Sequence, residues 1–338
     1  MDGPRQEKSI GSATRDLGLL SIIVPLFNEQ EVIQSCHDRL AKVLAELDCD
    51  SEVLYVNDGS NDGSLGALQT LRDGDLRVGI IDLSRNFGKE IAMSAGLDAA
   101  RGDAVVILDA DLQDPPELIP EFISLWESGY DVVYGQRTAR LGEGLLKRLT
   151  ASLFYRVMAH LGEVELPQNT GDFRLLSRRA VDGLTQLRER NRFMKGLFAW
   201  IGYPQIGVPY VREPRVAGKT KWNYWKLWTL ALQGITSFST APLKVSTYLG
   251  FTVSIVALIF GAYIVGRTLL LGNPVPGYPS LMAVILFLGG VQLVAIGILG
   301  EYVARMFGET KGRPLYLVNA YIPARSPTRH GTRQNSPN

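Results

Sequence analysis

Ala104-Val105-Val106-Ile107-Leu108-Asp109-Ala110-Asp111-Leu112-Gln113-Asp114 is the stretch that decides the reading. Five apolar residues, three of them β-branched, stop at two carboxylates one residue apart. A short continuous apolar run reads as a strand buried on both faces, as in a parallel sheet. Such a strand delivers Asp109 and Asp111 to its carboxyl edge, where ligands of open α/β sheets sit. Their oxygens, with the amide oxygen of Gln113, suit a hard octahedral cation that keeps waters and bridges a diphosphate. An Asp-x-Asp alone says little; its weight comes from the strand before it.

Working outward, strand-like and helix-like runs alternate from about residue 19 to 140. Strands are expected at Leu19–Leu26, 52–56, Val78–Leu83, 104–108 and 132–134, and helices at 31–47, 65–71, 90–100 and 116–127. That alternation predicts an α/β fold with a mainly parallel, Rossmann-like sheet. The first strand ends in Val24-Pro25-Leu26-Phe27-Asn28-Glu29 and the second in Val56-Asn57-Asp58-Gly59-Ser60, polar groups where a nucleotide pocket needs them. No Gly-x-Gly-x-x-Gly follows the first strand and no Walker sequence occurs, which disfavours a dinucleotide enzyme or a P-loop enzyme.

The last third of the 338 residues changes character. Residues 245–266 and 272–300 carry no charge, and each run is long enough for a hydrocarbon core of about 30 Å. Spans are expected at about 245–268 and 278–302, joined by a short connector rich in Gly and Pro. Lys244 before the pair and Arg305, Lys311 and Arg313 after it put both outer flanks in the cytoplasm, with Arg267 near the outer end. Residues 145–161 and 222–240 read as amphipathic interface helices, the second with Trp222, Trp225 and Trp228 beside Lys219, Lys221 and Lys226. The resulting organisation is a disordered tail at 1–18, a catalytic domain at 19–241, the two spans within 242–306 and a cytoplasmic C-terminal tail at 307–338.

Thirty-five Lys and Arg against 34 Asp and Glu leave a net charge of +1, which rules out a uniformly basic nucleic-acid binder. The balance is uneven. Residues 19–140 hold 9 basic and 22 acidic side chains, residues 141–244 hold 16 and 7, so the middle suits an anionic partner. Cys36 and Cys49 are too few for a disulfide framework and lack metal spacing. His37, His160 and His330 form no local cluster.

In order and spacing, eight short segments resemble a family 2 glycosyltransferase of the dolichol-phosphate-mannose-synthase type, nearest to bacterial polyprenyl-phosphate (bactoprenol) glucosyltransferases. They are Ile23-Val24-Pro25-Leu26-Phe27-Asn28-Glu29, Val56-Asn57-Asp58-Gly59-Ser60, Leu83-Ser84-Arg85-Asn86-Phe87-Gly88-Lys89 and Asp109-Ala110-Asp111-Leu112-Gln113-Asp114-Pro115-Pro116. Gly171-Asp172-Phe173-Arg174, Arg192-Phe193-Met194-Lys195-Gly196-Leu197, Gly218-Lys219-Thr220-Lys221-Trp222 and Gly300-Glu301-Tyr302 complete the set.

The resemblance implies a GT-A catalytic domain that moves one sugar from a nucleotide-sugar donor to a polyprenyl phosphate, with inversion. It implies that Pro25, Phe27, Glu29, Val56 and Asp58 line the nucleoside pocket, with Lys89, Asp109 and Ala110 also on the donor side. Asp109, Asp111 and Gln113 would hold Mg²⁺ or Mn²⁺. Arg137 would lie near the phosphates, and Arg174, Arg215 and Lys219 or Lys221 near the acceptor phosphate or the donor. Asp172 falls where relatives place a proposed catalytic base. The acceptor phosphate has a second pKa near 6 and is already an oxyanion at neutral pH, so we expect Asp172 to position the acceptor. Asn57 stands where relatives often carry Asp. UDP-glucose is the expected donor; GDP-mannose and an aminoarabinose-type donor remain open. A processive synthase is disfavoured, because no Gln-x-x-Arg-Trp segment occurs and two helices cannot enclose a polymer channel. A non-enzymatic scaffold gives no reason for paired carboxylates. Relatives with two spans can form tetramers, which makes a homo-oligomer the expected state.

Overall fold

A computed structural model describes residues 15–138, 167, 169–190, 192–213, 241–271 and 277–325. They divide into two compact units, one holding all eight strands and the other the two long helices.

The first unit is built on β1 (Leu19–Leu26), β2 (Asp50–Asn57), β3 (Val78–Leu83), β4 (Ala104–Ile107), β5 (Val132–Arg137), β6 (Thr170–Ser177), β7 (Gln205–Tyr210) and β8 (Val318–Ile322). They form one sheet in the order β7-β5-β6-β4-β1-β2-β3-β8. Strands β1 to β5 and β7 run in one direction, while β6 is antiparallel to β4 and β5 and β8 is antiparallel to β3. The central strands are buried almost throughout because helices cover them, which is why apolar residues dominate them, with Ser21, Glu52 and Asp82 among the buried polar exceptions. Helix α1 (Ile33–Ala45) shows the matching device, burying Ile33, Cys36, His37, Leu40, Val43 and Leu44 along one stripe. Helices α2 (Ser64–Gly74), α3 (Lys89–Ala99) and α4 (Ile119–Glu127), the last preceded by a 3₁₀ turn at Pro116–Leu118, complete the alternation.

Two readings of the sequence need correction. The tail at 1–18 is not wholly loose: Arg15 donates to the carbonyls of Gly129 and Tyr130 and to Asp131, and Leu17 is buried. The tail at 307–338 contains β8, which lies beside β3 and closes that edge of the sheet. Arg178 and Arg179 open α5 (Arg178–Gln186) and bond to the carbonyl of Ala100 and to buried Asp131 respectively. A seven-residue helix, α6 (Met194–Trp200), follows.

The second unit contains α7 (Ala241–Leu271) and α8 (Tyr278–Thr310). Within them Leu243–Ile264 and Phe287–Thr310 are long and apolar enough to cross a membrane. Neither stretch buries its side chains in the protein; Phe251, Leu258, Ile259, Leu293 and Ile296 are all exposed. Helix α8 covers residues 278–302, and Arg305 pairs with Glu301 one turn away on it. The interface helices expected at 145–161 and 222–240 lie outside the described residues.

Candidate active site

The carboxyl ends of the parallel strands and the amino end of the antiparallel β6 share one edge of the sheet. Register makes the site. Ile107 on β4 pairs with Arg174 on β6, so continuing that antiparallel ladder two residues sets Asp109 opposite Asp172. The Lys89 ammonium, at the start of α3, joins them: Nζ lies 2.6 and 2.8 Å from the two oxygens of Asp109 and donates to Asp172 Oδ2 at 2.5 Å. Burial works against charge on Lys89, but Asp109 and Asp172 outweigh it and raise its pKa. Burial also opposes ionisation of Asp172, yet Lys89, Lys195 and Arg174 pull its pKa below the usual carboxylate range. Asp172 is therefore an anion. Its other oxygen, Oδ1, is buried without a hydrogen-bond partner.

The backbone around these groups is strained where it turns. Asn28, Leu112 and Asn169 are the non-glycine residues with positive φ among the described residues, at 55°, 57° and 60°, and they follow β1, follow β4 and precede β6. A left-handed leucine is costly, on the order of 1–3 kcal/mol, and such residues persist where the surroundings over-determine them. Leu112 lies in the turn between Asp111 and Gln113, whose amide donates to Asp111 Oδ1 at 3.2 Å. The Gln113 carbonyl takes the Glu213 amide at 3.1 Å, fixing the far side of that turn.

On the donor side, Asp58 is buried and accepts the amides of Phe87 at 2.7 Å and Gly88 at 2.9 Å, so it shapes the loop that carries Lys89. Burial raises its pKa, against the pull of those two amides. Gly59 is required here: at φ 63°, a Cβ would lie 2.3 Å from the Arg85 carbonyl carbon. Phe27 and Glu29 are half-buried at the end of β1, whereas Pro25 is buried and Val56 has no exposed surface. Those two support the pocket from behind. Ala110 is buried between the carboxylates. Asn57 donates to Asp82 at 2.7 Å, a buried polar link between β2 and β3.

On the other side Arg137 is held by Tyr210, which accepts its Nε at 3.1 Å, and lies 3.5 Å from buried Asp114; the Tyr210 hydroxyl in turn donates to Asp114. Its guanidinium lies against Gly171, where a Cβ would come within 2.6 Å of Nη2. Arg174 departs from the expected phosphate contact. Its residue is 4% exposed, its guanidinium donates to the Gly171 and Asp172 carbonyls, and it stacks 3.6 Å from the centre of the Phe198 ring. It braces the Asp172 backbone. Arg215, Lys219 and Lys221 lie outside the described residues.

Two functional residues escaped the sequence reading of roles. Lys195 on α6 donates to the Thr170 carbonyl at 3.1 Å, among the charges of Asp172, Arg137 and Arg174. Glu90 takes the Met194 amide at 2.8 Å and so holds the start of α6. The Arg192–Leu197 motif was the signal for the first; no local pattern announces the second.

Among the described residues no three His, Cys, Asp or Glu side chains converge as a metal cage. The donor set instead fits a shared site, in which one or two carboxylates and an amide hold a hard cation whose remaining ligands are substrate phosphates and water. The ammonium seated on Asp109 marks the place of positive charge.

Comparison with known proteins follows that geometry. Residues 21–185 match the model for glycosyl transferase family 2, and residues 241–306 match the GtrB C-terminal hairpin. An uncharacterized glycosyltransferase of Synechocystis is 53% identical over 300 residues, covering 89% of this chain and 94% of that protein. The SfII prophage-derived bactoprenol glucosyl transferase of Shigella flexneri is 47% identical, covering 88% and 97%. Among solved structures, glucosyl-3-phosphoglycerate synthase of Mycobacterium tuberculosis, crystallised with Mn²⁺ and UDP-glucose, aligns at 20% identity over 65% of this chain and 78% of that one, with a TM-score of 0.43.

Proposed function

The chain belongs to glycosyl transferase family 2, and from that premise we propose that it transfers one glucosyl unit from UDP-glucose to polyprenyl phosphate, making a lipid-linked sugar for cell-envelope glycan modification. The observation that carries the proposal is the meeting of Asp109, on the donor strand, with Asp172, on the acceptor strand, at a single ammonium. The acceptor class and the sugar follow the bactoprenol glucosyl transferase to which the chain is similar over most of both lengths.

Charge dictates the division of labour. The acceptor phosphate arrives as an oxyanion and needs no proton removed. It needs cations to approach a diphosphate, and Arg137 and Lys195 border the same pocket edge as Asp172. Arg137 is a bidentate donor anchored by Tyr210 and Asp114, suited to a phosphate. Arg174 is a positioning residue, holding the two carbonyls that set where Asp172 points. Arg215, Lys219 and Lys221 add to the basic side on the strength of the family resemblance. Asp109, Asp111 and Gln113 would hold a divalent cation, which neutralises charge on the departing nucleoside diphosphate. An acceptor oxygen then bonds to the anomeric carbon as the bond to the diphosphate breaks, its electron pair leaving with UDP, and the anomeric centre inverts.

Two helices apolar enough to span a bilayer, with the hairpin match, make the chain membrane-associated. Both flanks of the hairpin are assigned to the cytoplasmic face. The basic residues there support this, and so does connectivity, since β8 follows the hairpin in sequence yet pairs in the sheet formed by strands that precede it. The same side holds the catalytic domain, spanning 19–241, and both termini; the protomers are proposed to assemble as a homo-oligomer.

Incubating the purified protein with a panel of UDP- and GDP-sugars and undecaprenyl phosphate, and weighing the lipid product, tests the proposal. A single hexose from UDP-glucose is expected. Product only from GDP-mannose or an aminoarabinose donor moves the substrate, and a polymer or no product overturns the reading.

A further inference from the structure

Lys89 has a geometry that donor binding by itself does not explain. Its ammonium donates to Asp109 Oδ2 at 2.8 Å and to Asp172 Oδ2 at 2.5 Å, and lies 2.6 Å from Asp109 Oδ1 as well. A dication and an ammonium cannot share Asp109 at such distances, because their repulsion adds to the loss of the ammonium's own ion pairs. The Lys89 side chain is nevertheless 42% exposed, so the ammonium has a way out that leaves the core intact. It rises from the Phe87–Gly88 turn pinned to Asp58 at the nucleoside end of the site.

We propose that Lys89 is a resident cation that keeps the divalent-ion site closed until a nucleoside diphosphate arrives. The diphosphate offers Lys89 alternative oxygens and brings the extra ligands that the Asp109–Asp111–Gln113 set lacks. The ammonium then exchanges carboxylates for phosphate and the divalent ion takes its place. Lys89 also releases Asp172 Oδ2 in that exchange, leaving that carboxylate beside the charges of Lys195 and Arg174. Metal and nucleotide binding are thereby coupled, and by linkage each strengthens the other by the same factor, about 5–150-fold for couplings of usual size. The inference rests on the proposed donor site.

The test titrates Mn²⁺ alone into the full-length protein in detergent, following free Mn²⁺ by electron paramagnetic resonance, with and without UDP. The wild type is expected to bind Mn²⁺ tightly only with UDP. Lys89→Met is expected to bind Mn²⁺ without UDP at least about tenfold more tightly than the wild type, with the coupling to UDP reduced accordingly. Lys89→Arg, which keeps the charge, is expected to behave as the wild type. Should Lys89→Met not fold, Lys89→Gln gives the same reading with a hydrogen-bond donor retained. If removing the charge leaves nucleotide-free Mn²⁺ binding unchanged while UDP still promotes it, the gate is overturned and the donor site stands. If UDP promotes Mn²⁺ binding in no variant, the donor site falls and the gate with it.

Discussion

At the amino edge of the sheet, buried Glu52 accepts from Ser21 Oγ at 2.6 Å and from the Arg101 amide and guanidinium, while buried Asp131 accepts from Arg15, Ser177 and Arg179. At the carboxyl edge of the same strands, Asp172 Oδ1 and Asp114 Oδ2 are buried with no hydrogen-bond partner, and the turns contain three left-handed non-glycine residues. The same residue types serve opposite ends. Buried carboxylates whose lone pairs are filled hold strands together, whereas partly unfilled ones mark where a ligand completes the set. The contrast separates stability from chemistry within one sheet, and it can be broken from either side.

The largest effect is expected at the carboxyl edge. Asp109→Asn should lower transfer by about 10³-fold or more, the loss typical of removing a group that stabilises developing charge. Its melting temperature should hold or rise, because the substitution removes a strained charge cluster. A matching loss of stability would mean that this edge, too, is structural.

The amino edge should answer in reverse. Glu52→Ala leaves Ser21 Oγ and the Arg101 amide without their buried acceptor and should cost about 2–3 kcal/mol in urea unfolding. Turnover per folded molecule should not change. Arg101 is half exposed and can be rehydrated, which keeps the cost at hydrogen-bond size.

Asp172→Asn sharpens the reading of the acceptor side. As a positioning group, Asp172 should cost about ten- to a hundredfold on substitution, mostly in the KM for polyprenyl phosphate. A thousandfold fall in kcat with donor and metal binding intact would make it an essential base.

The smallest effect is one of pH. Burial, reinforced by Asp172, raises the Glu90 pKa to about 7 from 4.5. A carboxyl raised on folding contributes stability below the unfolded value and loses it as pH climbs through the folded one. Stability should therefore drain between about pH 4.5 and 7. Glu90→Gln keeps an acceptor for the Met194 amide and should flatten that slope, leaving the variant about 2–4 °C more stable at pH 8 in thermal melts. Asp131 works with the opposite sign, since Arg179 and Ser177 overcome burial and lower its pKa, so its contribution is lost as pH falls below 3.8.

The reach of the sequence follows from how local each signal is. Strands β1 and β3 were legible to the residue because a covered parallel strand is mostly apolar, Ser21 and Asp82 being the polar exceptions. The Asp109–Asp111 turn was legible because strand and carboxylates are contiguous. Strand β6 was not: Thr170–Ser177 carries the charged Asp172 and Arg174 inside it, and the strands it pairs with, β4 and β5, precede it in the chain. Strand β7 contains Gly207 and Pro209 and pairs with one neighbour, β5, which masks its pattern. Strand β8 is five residues long, and only its pairing with β3, far back in the chain, identifies it. The Lys89–Asp172 contact spans 83 residues, and it needs both the antiparallel register of β4 and β6 and the start of α3. Residue types were visible, and the pairing across the sheet was not.

Metal removal gives the most direct test. Purified protein stripped with a chelator is supplied with UDP-glucose and undecaprenyl phosphate, and lipid-linked hexose is counted before and after Mn²⁺ or Mg²⁺ is returned. Transfer should vanish on stripping, return with the ion and stay absent in Asp111→Ala; undiminished transfer in the stripped protein or in that variant would contradict a divalent-ion site at the end of β4.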